Sequence, residues 1–204
     1  MIYINGCSWT SSHIFKDELM NADLPVINNA ASGYSNFQIC KHTIYDLKYF
    51  SKCFEKLYAI IFLTEPFRSD YEFKLLKEKK GNLQDLARQS LFQIKTVLDK
   101  SLPDNVELIY SSGFVDLPWK TRLPSMLTLA CESHKITIEQ TKCYTTKADK
   151  LIKANLHRPS IQDLDTIIAR CKTIEKIPMQ RRHHLWDNTS YANIANKIKE
   201  ITNG

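Results

Sequence analysis

Seven consecutive apolar residues, Leu57-Tyr58-Ala59-Ile60-Ile61-Phe62-Leu63, place the tightest constraint on what this chain can fold into. A strand with one wet face alternates apolar and polar side chains, whereas an unbroken run suits a strand covered on both faces. Shorter runs of the same character stand at Met1 to Asn5, at Val26 to Asn28 after Pro25, and at Val106 to Tyr110. Between them lie stretches of helical length. Ser8 to Met20 contains the start of one helix. A second spans Asn36 to Phe50, with Phe37, Cys40, Ile44, Leu47 and Tyr49 at mostly helical spacing. Leu83 to Leu98 repeats through Leu83, Leu86, Leu91, Ile94, Val97 and Leu98. Strands alternating with helices predict an α/β fold, a parallel sheet covered by helices.

The rhythm weakens beyond Pro118. Lys- and Thr-rich stretches alternate there with helical pieces such as Ile161 to Cys171, so an insertion or lid-like region is expected over about 118–176. Ser190 to Ile201 then gives a closing amphipathic helix through Tyr191, Ile194, Ala195, Ile198 and Ile201. A single domain over residues 1–204 accounts for the whole, since 43% apolar and 25% charged residues match an ordinary globular chain.

Met1 leads directly into an apolar segment without a basic n-region, so no secretory leader is expected, and no apolar run approaches the ~20 residues of a membrane span. Cys7, Cys40, Cys53, Cys131, Cys143 and Cys171 are scattered without a CxxC pair, as in a protein whose thiols stay reduced. A cytoplasmic location is therefore expected. The histidines lack metal-ligand spacing, so no metal site is predicted. A formal charge of +6 permits an anionic partner without requiring one. Lys77, Lys79 and Lys80, like the Arg181-Arg182 pair, read as solvated faces, which makes nucleic acid an unlikely partner. No feature of the sequence sets an oligomeric state.

In open α/β sheets the ligand crevice lies at the carboxyl ends of the strands. The residues after the first strand are Gly6-Cys7-Ser8-Trp9-Thr10, those after the second Ala31-Ser32-Gly33-Tyr34-Ser35-Asn36, and those after the third Thr64-Glu65-Pro66-Phe67-Arg68. Arg182-His183-His184-Leu185-Trp186-Asp187 precedes the last helix. Ser8 at a strand-to-helix turn is either a nucleophile or a helix N-cap. Gly33 supplies either an amide for an oxyanion or a positive-φ turn. His184 is the base such a serine needs, with Asp187 near enough in sequence to orient it; alternatively His183 and His184 join a basic patch with Arg181 and Arg182.

Asn5-Gly6-Cys7-Ser8-Trp9-Thr10 resembles the first block of SGNH/GDSL hydrolases, in the variant with Gly-Cys-Ser-aromatic-Thr in place of Gly-Asp-Ser-Leu. Asn28 to Asn36, with its Ser-Gly turn, is similar to the second block, and His184 to Ala195 to the last. The resemblance implies a three-layer α/β/α sandwich with a central parallel sheet, SGNH/flavodoxin-like, that hydrolyses an ester or related acyl bond, with no cofactor. It gives Ser8 the role of nucleophile and His184 that of base, with an oxyanion held by the Ser8 and Gly33 amides. Two features depart from the pattern. The third block offers no asparagine, leaving Thr64 or Arg68 as substitutes. Arg181, rather than an aspartate, stands three residues before His184, with Asp187 after it.

The expected substrate is a small-molecule or glycan acyl ester, met by Trp9, Tyr34, Asn36 and Arg68, with Phe67 and Trp119 shaping the pocket. The same departures motivate an alternative, a binding or accessory protein of this fold with weak or lost catalysis.

Overall fold

The computed structural model describes residues 1–8, 10–19, 24–64, 83–113, 117–135, 179–180, 185–186 and 188–203. Four parallel strands form the central sheet: β1 (Ile2–Asn5), β2 (Val26–Asn28), β3 (Leu57–Leu63) and β4 (Val106–Ser112). Their order is β2-β1-β3-β4. Ile2 pairs with Val26 on one side and Tyr58 on the other, and β3 runs in register with β4 from Leu57↔Val106 to Leu63↔Ser112. All seven residues of β3 are buried, as the unbroken apolar run requires.

Strand alternation sorts the core into two layers. Ile2, Ile4, Tyr58, Ile60, Phe62 and Ile109 face one side. There they meet α1 (His13–Leu19), α4 (Met126–Ser133) and α5 (Asn188–Asn203) through Phe15, Leu19, Met126, Ala130, Tyr191 and Ile194. Tyr3, Leu57, Ala59, Ile61, Leu63 and Tyr110 face the other side. That side is covered by α2 (Asn36–Phe50) and α3 (Leu83–Ser101) through Ile39, Cys40, Leu47, Leu91 and Leu98. The protein is thus an α/β fold with helices on both faces of a parallel sheet, as the sequence predicts.

Boundaries shift modestly. β4 continues two residues beyond Tyr110 to Ser112, and α5 starts at Asn188 and ends at Asn203 rather than spanning Ser190 to Ile201. A second, two-stranded antiparallel sheet pairs β5 (Met179–Gln180) with β6 (Leu185–Trp186). The expected insertion over about 118–176 divides. Its first part is core: Ser125 caps α4, accepting from the Thr128 amide, and Met126, Leu127, Leu129, Ala130 and Cys131 are buried. Asn193 Nδ2 donates to the Leu129 carbonyl at 2.9 Å, tying α4 to α5. The remainder, 136–176, lies outside the described residues.

One glycine is fixed by space. A Cβ on Gly6, where the chain leaves β1, would stand 2.3 Å from Thr10 Oγ1, 3.0 Å from Phe62 Cβ and 3.2 Å from the Phe62 carbonyl oxygen. Backbone and a core ring cannot both retreat at little cost. Gly6→Ala is expected to destabilise the fold by about 1–3 kcal/mol, typical of overpacking. At roughly 2–4 °C per kcal/mol for a chain of this size, thermal melting would show a clear drop. An unchanged midpoint would contradict the packing described.

Candidate functional site

The strand order dictates where a crevice opens. From β1 the chain passes through α1 on one face to β2, and from β3 it passes through α3 on the opposite face to β4. The connections leaving the neighbouring strands β1 and β3 therefore diverge. Such a switch point leaves a cleft at the carboxyl ends of those two strands. Gly6 to Ser8, Thr10 to Ser12 and Thr64 lie there.

The turn after β1 is built on one carbonyl. The Cys7 oxygen accepts from the Thr10 amide at 3.0 Å, the Thr10 hydroxyl at 3.0 Å and the Ser11 amide at 3.2 Å. Cys7 itself is buried, whereas Ser8 is half-buried. The Ser8 carbonyl accepts from Ser11 Oγ at 3.0 Å, and its own hydroxyl makes no hydrogen bond to another described residue. Helix α1 starts only at His13, and the Lys16 amide donates to the Ser12 carbonyl at 3.2 Å. Ser12, not Ser8, thus occupies the capping position. The N-cap reading of Ser8 is corrected on that ground.

The loop after β2 is clamped onto this turn. The Asn29 amide donates to the Ile4 carbonyl at 2.8 Å and the Ala31 amide to the Gly6 carbonyl at 3.3 Å. Asn28 Nδ2 donates to the Thr10 carbonyl at 2.6 Å, and its Oδ1 accepts from the Ala30 amide at 3.1 Å. Ser8 and Gly33 each lie two residues beyond the Ala31–Gly6 bond. Gly33 has φ +82° in a turn closed by the Tyr34 amide on the Ala31 carbonyl, the value required at the third residue of a type II turn. A Cβ there would meet nothing within 4 Å. Its glycine is therefore demanded by backbone conformation rather than by lack of room.

Asn36 is fully buried at the start of α2, and both ends of its amide are spent on one residue. Nδ2 donates to the Thr64 carbonyl at 2.8 Å, and Oδ1 accepts from the Thr64 amide at 2.8 Å. The structure makes Asn36 a scaffold for the end of β3, not the substrate contact expected from sequence. It also commits the Thr64 amide, so any oxyanion role of Thr64 rests on its hydroxyl. Tyr34 stacks on His42, with ring centroids 5.0 Å apart and planes 4° from parallel, and packs against the core.

Beneath the crevice lies a polar network that sequence reasoning did not anticipate. Buried Asn5 accepts from the Gly6 amide at 2.8 Å and donates to Thr43 Oγ1 at 3.0 Å, the Ile39 carbonyl at 3.2 Å and Tyr3 Oη at 3.2 Å. The Tyr3 hydroxyl donates to Asp46 Oδ2 at 2.7 Å, and Asn29 Nδ2 reaches the same oxygen at 2.5 Å. Burial, then the Asp46 carboxylate, pushes the Tyr3 phenol well above its ordinary range, so it stays a donor. The one legible signal was a polar residue closing an otherwise apolar strand, Ile-Tyr-Ile-Asn.

Helix α5 begins beside α1: Phe15 and Tyr191, near the starts of their helices, lie 5.6 Å apart by ring centroids, and Phe15 also meets Phe62 of β3 at 6.1 Å. Ser190 Oγ and His134 Nε2, 3.3 Å apart, join this end of α5 to the end of α4. His184 and Asp187 precede α5 in sequence and, with Trp9 and Arg68, lie outside the described residues. Beside the crevice, at the carboxyl end of β4, a cavity of about 310 Å³ is lined by Ser111, Ser112, Leu117, Trp119, Thr121 and Ser125 among others.

Replacing Asn36 separates scaffold from substrate contact. Asn36→Ala would orphan a buried amide and a buried carbonyl of Thr64, each worth roughly 1–3 kcal/mol. A large fall in denaturation midpoint is expected. A variant of wild-type stability with altered ligand affinity alone would restore the substrate-contact reading. Compared with known proteins, the chain matches no family model and no curated protein.

Proposed function

We propose that the protein is a serine-dependent hydrolase of a small acyl ester, of the SGNH kind, with Ser8 as nucleophile and His184 as base. The observation that carries this reading is the placement of Ser8. It stands on the turn directly after β1 at the switch point, half-exposed, with a hydroxyl that neither caps α1 nor bonds another described residue. Such a hydroxyl is available to a substrate and to a base.

In the proposed reaction Ser8 Oγ attacks the ester carbonyl carbon while His184 takes the hydroxyl proton. The Ser8 and Gly33 amides receive the developing oxyanion, with the Thr64 hydroxyl as a third donor. Collapse breaks the carbon–oxygen bond to the alcohol, which leaves with the proton held by His184. Water then hydrolyses the acyl-serine by the same steps, and Asp187 orients the imidazole throughout.

The second reading, a binding protein with weak or lost catalysis, draws on Thr64. With its amide committed to Asn36, the Thr64 backbone offers no oxyanion donor, and loss of one donor commonly costs about 2.7–4 kcal/mol of transition-state stabilisation.

A fluorophosphonate probe, with the labelled peptide identified by mass, separates the two. Labelling of Ser8 is expected, and Ser8→Ala should abolish both labelling and turnover of short-chain acyl esters. Because Ser8 caps no described helix, that variant should keep its stability within about 0.5 kcal/mol. His184→Asn should lower turnover and labelling together. Turnover that survives in a folded Ser8→Ala protein would end the serine mechanism, and no labelling of folded wild type would favour the binding protein.

A further inference from the structure

Helix α2 carries on its outer side a surface that the crevice does not use. At 100° per residue, the exposed positions Phe37, Gln38, Lys41, Tyr45, Lys48, Tyr49 and Lys52, the last just past the helix end, fall within an arc of about 120°. Three are aromatic and three are lysines, and none is acidic. Tyr45 is 78% exposed, Tyr49 65% and Phe37 55%, far more than rings of an ordinary helix face that belong to the core. The only carboxylate of the helix, Asp46, lies off this arc and is engaged by Tyr3 and Asn29.

From the combination of exposed rings and unopposed positive charge we infer that this face of α2 binds single-stranded nucleic acid. Lys41, Lys48 and Lys52 lie in the middle of the arc, at about 20–60° from Phe37, while Phe37 stands at one margin and Tyr45 and Tyr49 toward the other. Cations in the centre track a phosphate backbone, and rings at the sides offer faces on which bases stack. Lys41 and Tyr45, like Tyr45 and Tyr49, are one turn apart, about 6 Å along the axis, a step comparable to that between successive nucleotides of an extended strand. An interfacial membrane helix has the reverse order, apolar residues in the centre and lysines at the margins, so that the rings can sink into the bilayer. The net charge of +6 adds long-range attraction for a polyanion. The surface differs from the Lys77–Lys80 run and the Arg181-Arg182 pair, on which the sequence alone spoke against nucleic acid.

Fluorescence anisotropy with a labelled oligo-dT of about 20 nucleotides, at about 50 mM salt and over a salt series, tests the inference. Saturable binding is expected, tighter than to duplex DNA of equal length. Tyr45→Ala/Tyr49→Ala should weaken it by about 10-fold or more with the salt slope unchanged, because stacking is lost and phosphate contacts are kept. Lys41→Gln/Lys48→Gln/Lys52→Gln should weaken it and flatten the log–log salt slope by about 2, near 0.7 for each lost phosphate contact. All five positions are exposed, so circular dichroism should show both variants folded. No saturable binding, equal binding by either variant, or equally effective competition by poly-L-glutamate would overturn the inference. So would ring-dependent binding to vesicles of phosphatidylserine and phosphatidylcholine with none to oligo-dT, which would assign the face to a membrane.

Discussion

Two buried carboxamides hold the crevice edge of this protein. A parallel sheet has no hairpins, so each strand ends in open backbone groups that its own ladder cannot pair. Asn36 meets that need at β3 by giving its amide and its carbonyl oxygen to Thr64. Asn5 does the same at β1, accepting from Gly6 and donating across to α2. Both reach between a strand end and one helix. α2 is in effect bolted to the carboxyl ends of β1 and β3, the two strands between which the cleft opens.

That arrangement explains why the Ser8 turn can be firm without being a helix. The Cys7 carbonyl gathers three donors, Gly6 packs against Phe62 with no room for a Cβ, and Asn28 reaches across to the Thr10 carbonyl. With the flanking residues held in this way, Ser8 is left half-exposed between fixed points. A nucleophile gains from such fixation, since a misplacement of about 1 Å can cost 10²-fold in rate. The Tyr3–Asp46–Asn29 chain extends the same rigidity to the loop that carries Gly33.

The frame of the molecule was readable because its signals are local. Apolar runs, their spacing and the helical repeat of Asn36 to Phe50 each depend on neighbouring residues, and the structure follows them closely. In sequence Met126–Ser133 falls within the expected insertion because it is short and follows a stretch with two prolines; only its burial against α5 shows it to be core. Asn36 looked like a cleft residue because a polar side chain after a Ser-Gly turn suggests a ligand contact. Its partner, Thr64, is 28 residues away, a distance no local pattern spans. Asp46 carries no local sign of its role for the same reason, its tyrosine partner being 43 residues away. In sequence Ser8 fits both cap and nucleophile, because no local pattern marks His13 as the start of α1.

α2 has two faces with separate work. Its inner face and first turn fix the crevice through Asn36, Ile39, Thr43 and Asp46, and its outer arc presents only rings, lysines and Gln38 to solvent. Because those sets share no hydrogen bonds, changes on the outer arc should add to changes in the crevice instead of coupling to them, as for sites without common partners. Ile44 is the exception, flanking the arc beside Phe37 while packing on the core. A substitution there would loosen the helix from the sheet and disturb both faces at once. Placement around the helix, rather than distance along it, therefore decides which residues of α2 can be altered without moving the Ser8 turn.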